Sequence, residues 1–354
     1  MRLEFARGPA DRLETLHPAS FALVMATGIV ALALASHRVP YLPALLLALN
    51  VLFFVTLTVA YGWRIVRHRE AFLADLRNHN RGVGFFTLIA AAAVLGQQLL
   101  VQLGWIRGAL VLWGFALLAL VAITYGVLAL LTVQPDKPPL AQGIHGGWLL
   151  CVVAPQSVSI LTVLLAGAGA LGATAVPMFF ALALWLGGGV LYLWLMTVIF
   201  FRYTFLTVSV DDLTPPYWIS MGAVAISTLA GSTLVEHAAL SPVVTELATF
   251  VAGVTLLFWS IGSWWIPMLV LLGIWRYLIR GLPLRYDPLY WGGVFPLGMY
   301  SVCTYHLAGI LEVGFLMPLS RAFMLIAALA WTLALAGLVA SRLPRRSAAE
   351  SSAG

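Results

Sequence analysis

Ten stretches of this chain, most of about 18 to 30 residues, are nearly free of charge, and that pattern decides its fold class. A helix of about 20 apolar residues spans the ~30 Å hydrocarbon layer of a bilayer, and inside lipid the backbone must satisfy its own polar groups. The stretches run Pro18 to Ser36, Leu42 to Ile65, Gly84 to Leu103, Ala109 to Thr132, Gly147 to Leu165, Val176 to Phe201, Pro216 to Val235, Pro242 to Ile279, Leu289 to Ile310 and Leu319 to Val339. Across 354 residues, 62% are hydrophobic and 9% charged, against roughly 25% charged in a soluble domain. The expected fold is an all-α integral membrane protein of ten transmembrane helices. A secreted disulfide scaffold is excluded, since Cys151 and Cys303 both lie inside apolar runs and offer neither a disulfide framework nor a zinc site.

Lys and Arg concentrate on the cytoplasmic side of a membrane protein. With both termini inside, 16 of the 19 basic residues fall in interior segments, leaving only Arg38, Arg107 and Arg321 outside. The net charge of +6 is then a signal of orientation, and no nucleic-acid partner is expected. Residues 1–17 read as a cytoplasmic N-terminal segment, too polar for a signal peptide, with Ala10 to Leu16 a candidate interfacial helix. Residues 18–341 read as one ten-helix domain, and residues 342–354 as a cytoplasmic tail.

The odd-numbered spans carry many small and polar residues, among them Thr27, Gly28, Gln97, Gln98, Ser157, Ser159, Gly222, Ser227, Gly298 and Ser301; the even-numbered spans are richer in Leu, Phe and Trp. Small residues let helices approach closely, and hydroxyls and amides avoid lipid. Five hairpins follow, each with an inner odd helix and an outer even helix around a central pore. Gly187, Gly188 and Gly189 in span six and Ser260 and Ser263 in span eight break the alternation. The eighth run exceeds one perpendicular helix, and Pro267 marks a kink there, or an early stop with an interfacial continuation.

Charged groups inside a span cost several kcal/mol and usually mark relays or ion sites, yet the span interiors hold almost none. Glu246, read as lying in the first turn of span eight, suits a helix start, with proton coupling as its alternative. Asp211 and Asp212 stand alone in a loop. His145 and His306 are too isolated to hold a haem. With no catalytic or phosphate-binding motif present, neither an enzyme nor a cofactor nor a metal is expected. Pro155, beside Gln156, Ser157 and Ser159, and Pro296 each free a carbonyl one turn back, so each is a candidate for lining a pore or for a simple kink. Phe295, placed among glycines just before Pro296, has the bulk to close a narrow pore by dewetting. A conduit without fixed carboxylates does not repel anions, and an inside-negative potential drives each anionic charge outward by about 2.3 kcal/mol per 100 mV.

Three segments carry a resemblance: His17-Pro-Ala-Ser-Phe-Ala-Leu-Val-Met-Ala-Thr-Gly-Ile-Val30, Pro215-Pro-Tyr-Trp-Ile-Ser-Met-Gly-Ala-Val-Ala-Ile226 and Tyr290-Trp-Gly-Gly-Val-Phe-Pro-Leu-Gly-Met-Tyr300. Together they resemble the tellurite-resistance/dicarboxylate transporter family, which includes TehA-type bacterial proteins, fungal malate permeases and sulfite pumps, and the slow anion channels of plant guard cells. The resemblance implies five inner helices around a pore, a homotrimer with one pore per subunit, and a prokaryotic inner membrane. It also implies occlusion by a phenylalanine, for which Phe295 stands in the matching motif, with Gly28 and Pro155 as small or kinking inner-helix residues. Met221 and Gly222 stand where a second pore aromatic in span seven would be sought. The implied activity is transport of small anions, either C4-dicarboxylates such as malate or inorganic anions, through a gated pore. The alternative is a proton-coupled dicarboxylate or sulfite/tellurite-related carrier on the same fold, in which Glu246 or His306 titrates.

Overall fold

The computed structural model describes residues 13–283 and 286–342. Among them are ten helices of at least 15 residues: α1 (Ala22–Ser36), α2 (Leu42–Arg67), α3 (Phe86–Leu103), α4 (Ile106–Val133), α5 (Leu150–Gly167), α6 (Ala175–Phe205), α7 (Ile219–Glu236), α8 (Pro242–Ile274), α9 (Trp291–Ile310) and α10 (Met317–Arg342). Among the described residues, nine helices are long and apolar enough to cross a membrane. The remaining one, α9, carries four glycines with Tyr300, Thr304, Tyr305 and His306, and its neighbours α1, α7, α8 and α10 wall it off from lipid. Helix α8 does not stop at Pro267. It continues through that proline to Ile274 and passes into a π turn at Trp275–Ile279. The expected Ala10 to Leu16 helix and the tail beyond Arg342 lie partly or wholly outside the described residues.

The odd helices pack in a closed ring, α1 on α3, α3 on α5, α5 on α7, α7 on α9, and α9 back on α1. Each even helix covers one seam of that ring: α2 lies over α1 and α3, α4 over α3 and α5, α6 over α5 and α7, α8 over α7 and α9, and α10 over α9 and α1. Burial follows the same alternation. In α1, α3, α5 and α7, including their first turns, 72 to 89% of the apolar window is buried, against 17 to 39% in the five even helices. Lipid is as apolar as leucine, so the even helices can leave their Leu and Val exposed to it, while the ring is held by small residues and polar contacts.

Those polar contacts repeat. Every outer helix is hydrogen-bonded to the next inner helix around the ring, α10 to α1 included. Asn50 of α2 donates from Nδ2 to Gln98 Oε1 (2.5 Å), and Trp113 of α4 donates from Nε1 to Thr162 Oγ1 (2.8 Å). Trp185 of α6 donates to the Ser227 carbonyl (2.8 Å), Trp259 of α8 to Thr304 Oγ1 (3.0 Å), and Trp331 of α10 to Thr27 Oγ1 (2.9 Å). These five donors occur 63 to 74 residues apart along the chain. The chain is therefore an array of five helical hairpins, each latched to the next, with the last latched to the first.

The starts of the inner helices repeat as well. Each is preceded by a short 3₁₀ turn: Pro18–Phe21, Gly82–Phe85, Gly146–Leu149, Pro215–Trp218 and Pro288–Tyr290. Three of these turns are capped from the residue in front by a bond to the amide two positions on, His17 Nδ1 from Ala19 N (3.0 Å), His145 Nδ1 from Gly147 N (3.1 Å) and Asp287 Oδ1 from Leu289 N (2.7 Å). The five turns touch in cyclic order and close a second, smaller ring at one mouth of the bundle. All five inner helices thus run in the same direction, with their N-termini gathered at that mouth.

Candidate anion pathway

Inside the ring of 3₁₀ turns lies a cavity of about 70 Å³, lined from all five inner helices. Its polar lining comes from His17, Asn80, Thr87, His145 and Thr214, and its deepest positions on α1 and α9 are Met25 and Phe295. Phe295 and Met25 line the cavity and are each 1% exposed. One to two turns beyond the cavity-lining Met25, Ile219 and Phe295, in register with them, stand Ile29 of α1, Ile226 of α7 and Met299 of α9, all fully buried. All three side chains are apolar.

The electrostatics of the mouth follow from its construction. A helix N-terminus carries roughly half a positive charge together with unpaired amides, and five of them converge here. No carboxylate lines the cavity among the described residues. His17 and His145 accept backbone N–H bonds at Nδ1, which fixes both rings as neutral with the proton on Nε2. Burial pushes the pKa of each imidazole down to about 4, helped at His17 by Arg81 and at His145 by Arg202. The lining therefore offers donors and dipoles without fixed charge.

Arginines brace this mouth from the ends of the outer helices. Arg64 of α2, 1% exposed, donates to the Glu14 carbonyl and to Asp75, which Arg81 also engages. Arg202 of α6 donates to the Ala141 carbonyl and pairs with Asp212 at 2.9 Å. Arg276, at the end of α8, donates to the carbonyls of Val210 and Leu213. In each case the carbonyl belongs to the segment that leads into an inner helix, so these guanidiniums position the 3₁₀ turns.

Of the residues singled out in the sequence, Phe295 and His145 line the cavity. Pro296 turns to α7, where a Cβ on Gly222 would stand 2.7 Å from its Cγ. A Cβ on Gly298 would meet Ile29 of α1 at 2.9 Å, and one on Gly28 would meet Val94, Asn50 and Gln98 of α2 and α3. These glycines set helix spacing. Ser159 donates to the Ala181 carbonyl of α6 (2.8 Å), and Thr162 meets Trp113 of α4. Pro155 shares that outward face at the i, i+4, i+7 spacing, so the structure puts Pro155 and Ser159 at the outer helices and not in the conduit. Of the two readings the sequence leaves open for Pro155, this position favours a kink packed against the outer helices.

Glu246 is the fifth residue of α8, one past its first turn, and is exposed. His306 lies near the far end of α9, where its Nδ1 is 2.7 Å from Glu236 Oε1 at the end of α7. His145 and His306 stand at opposite ends of the inner ring, so they share no ligand. Asp212 serves Arg202 and the turn at Ser209. Met25, Thr87, His17, His145 as a cavity donor and Glu236 were not legible as site residues. The signal available for the two histidines was their position immediately before Pro18 and Gly146 at the start of an inner span.

A five-membered ring of parallel helices wrapped by five outer helices, with a small cavity at the mouth where the inner helices begin, is the architecture of a membrane transport protein. The chain belongs to the voltage-dependent anion channel family, SLAC1, whose model matches residues 15–339. An uncharacterized transporter of Methanocaldococcus jannaschii is 26% identical over 323 residues, covering 86% of this chain and 87% of the relative. A second uncharacterized transporter from the same organism is 24% identical over 303 residues, covering 80% of this chain and 82% of the relative. An uncharacterized membrane protein of Mycobacterium tuberculosis is 49% identical over 96 residues, covering 27% of this chain. The chain spans about half the length (48%) of that mycobacterial relative.

Proposed function

We propose that this protein passes small anions through the axis of the inner ring, with Phe295 as the closing residue and no covalent chemistry. The observation that carries this reading is the cavity into which five helix N-termini point, which is lined by Phe295 and, among the described residues, by no carboxylate. The field at that mouth favours negative solutes, and the apolar column behind Phe295 sets the barrier. Inorganic anions and C4-dicarboxylates are the candidate solutes. The orientation consistent with the basic residues puts the mouth and both termini in the cytoplasm of a prokaryotic inner membrane, and a homotrimer with one pore per subunit is the assembly we infer from the resemblance. Phe295→Ala tests the gate. In reconstituted vesicles it is expected to raise anion conductance at least tenfold, the equivalent of about 1.4 kcal/mol off the barrier. Unchanged conductance in a folded variant removes Phe295 from the gate.

The Glu236–His306 pair, which lies at the far end of the same two inner helices that meet at Gly222 and Pro296, favours the proton-coupled carrier as a second reading. A pH step across vesicles separates the two. Uphill malate accumulation driven by protons alone contradicts the channel.

A further inference from the structure

Behind the wall of the mouth cavity, on the lipid side, lies a second and larger cavity of about 490 Å³ between α8 and α10, with α9 and the start of α7 at its back. We propose that this groove binds an anionic phospholipid of the leaflet at that mouth, with an acyl chain between α8 and α10 and the phosphate at Arg276 and Arg280.

The acyl half of the argument is the lining. Apart from a rim of Arg276, Tyr277, Tyr286 and Tyr290, with Thr214 at the back, the walls are aliphatic or aromatic. The flanking faces of α8 and α10 are exposed and apolar, as at Leu271, Ile274, Leu329 and Leu333. An apolar recess opening between lipid-facing helices is costly to fill with water and is matched by hydrocarbon. Gly273 faces the recess, and no heavy atom lies within 4 Å of where its Cβ would be. At the same level α8 changes into the π turn Trp275–Ile279, a distortion that tends to accompany functional sites.

The headgroup half is charge. Arg276 spends its Nη1 on two neutral carbonyls, and its Nε is buried without a partner. Arg280 stacks on Trp275 at 5.0 Å and is otherwise exposed. Among the described residues no carboxylate lies in ion-pair range of either. The acid nearest in sequence to the rim tyrosines, Asp287, caps Leu289 N. Two unneutralised guanidiniums sit among Trp275, Tyr277, Tyr286 and Tyr290, the aromatic set that marks headgroup depth, and basic recesses between spans at this depth recognise anionic heads.

The groove also adjoins the gate. Leu289, Gly292 and Phe295 face the mouth cavity, Tyr290, Gly293, Val294 and Leu297 of the same segment face the groove, and Thr214 lines both. A chain in the groove therefore supports the helix that carries Phe295 from behind.

Native mass spectrometry of the full chain after exchange into equimolar dioleoyl-phosphatidylglycerol and dioleoyl-phosphatidylcholine reads this directly and is independent of any anion flux. Retained phosphatidylglycerol is expected to exceed phosphatidylcholine roughly fivefold, the effect of about one well-placed basic residue. Gly273→Phe, which fills the recess, is expected to abolish the preferred lipid. Arg280→Gln is expected to keep lipid and lose the preference. Equal retention of the two lipids overturns the proposal, and so does undiminished phosphatidylglycerol in a Gly273→Phe variant that melts like the wild type. A wild-type oligomer that falls apart in Gly273→Phe without any loss of lipid would make the groove a contact between copies, and overturns it as well.

Discussion

At Gly28 the tightness of the ring can be measured on a single atom. A Cβ there would stand 2.5 Å from Val94 Cγ1, 3.0 Å from Asn50 Nδ2 and 3.1 Å from Gln98 Oε1, so it would push into the bond that latches α2 to α3. Overpacking of this kind costs about 1 to 3 kcal/mol. Gly28→Ala is expected to lower thermal stability by that amount without touching the cavity, as a melting curve in detergent would show. The same residue shows how far the sequence could be read. Its smallness marked it as an inner-helix residue, but smallness alone does not say whether a glycine faces an axis or a neighbouring helix, and here it faces the neighbour. His17 and His145 give a second test. Folded, each binds a proton only near pH 4, and unfolded near 6.5. The folded chain then holds fewer protons than the unfolded chain between those values, so stability falls as pH drops through that window and levels off below it. The His17→Gln, His145→Gln double variant is expected to melt with a smaller loss between pH 6.5 and 4, and an unaltered loss would assign the pH dependence to other groups.

Among the helices, the latches from outer to inner helices are what the texture of the sequence did not disclose. The alternation of small-polar and bulky spans was enough to separate inner from outer helices and to group them as hairpins. It could not show which outer helix serves which inner one, because the acceptors differ in kind: hydroxyls at Thr27, Thr162 and Thr304, an amide at Gln98 and a main-chain carbonyl at Ser227. A repeat built from interchangeable acceptors leaves no repeated word. The latch between α10 and α1 matters most, since it joins the end of the chain to its beginning. Removing the donor in Trp331→Phe costs the bond, about 1 kcal/mol net, and leaves Thr27 bonded to the Leu23 carbonyl. A double-mutant cycle of Trp331→Phe with Thr27→Val in unfolding experiments is expected to return a coupling of about 0.5 to 1.5 kcal/mol. Zero coupling would mean that the ring closes by packing alone.

Over the whole molecule, five parallel inner helices make a directional object. Their N-termini and the capped 3₁₀ turns gather at one mouth, and the far end carries their C-termini, with His37 bonded to Ser320 and His306 to Glu236. That polarity was present in the chain order of the spans, since hairpins force alternate helices to run the same way, but convergence on a single cavity needed the turns to close on one another, and no local pattern shows that. On the proposed function the attraction for anions comes from backbone geometry and not from any one basic side chain, so single Arg or Lys substitutions at the mouth are a poor test of it. A better one places a negative charge within the field. Asn80 lines the mouth cavity, is exposed, and takes part through its backbone amide in a bond to Asn78. Asn80→Asp therefore adds a carboxylate at nearly constant shape. Two like charges about 4 Å apart interact by roughly 1 kcal/mol even in bulk water, so anion flux through vesicles at low salt is expected to fall about fivefold. The deficit should shrink as ionic strength is raised past the point where the ~10 Å screening length of 0.1 M salt shortens. A flux that is insensitive both to the substitution and to salt would show that the converging helix ends do not set the selectivity of this mouth.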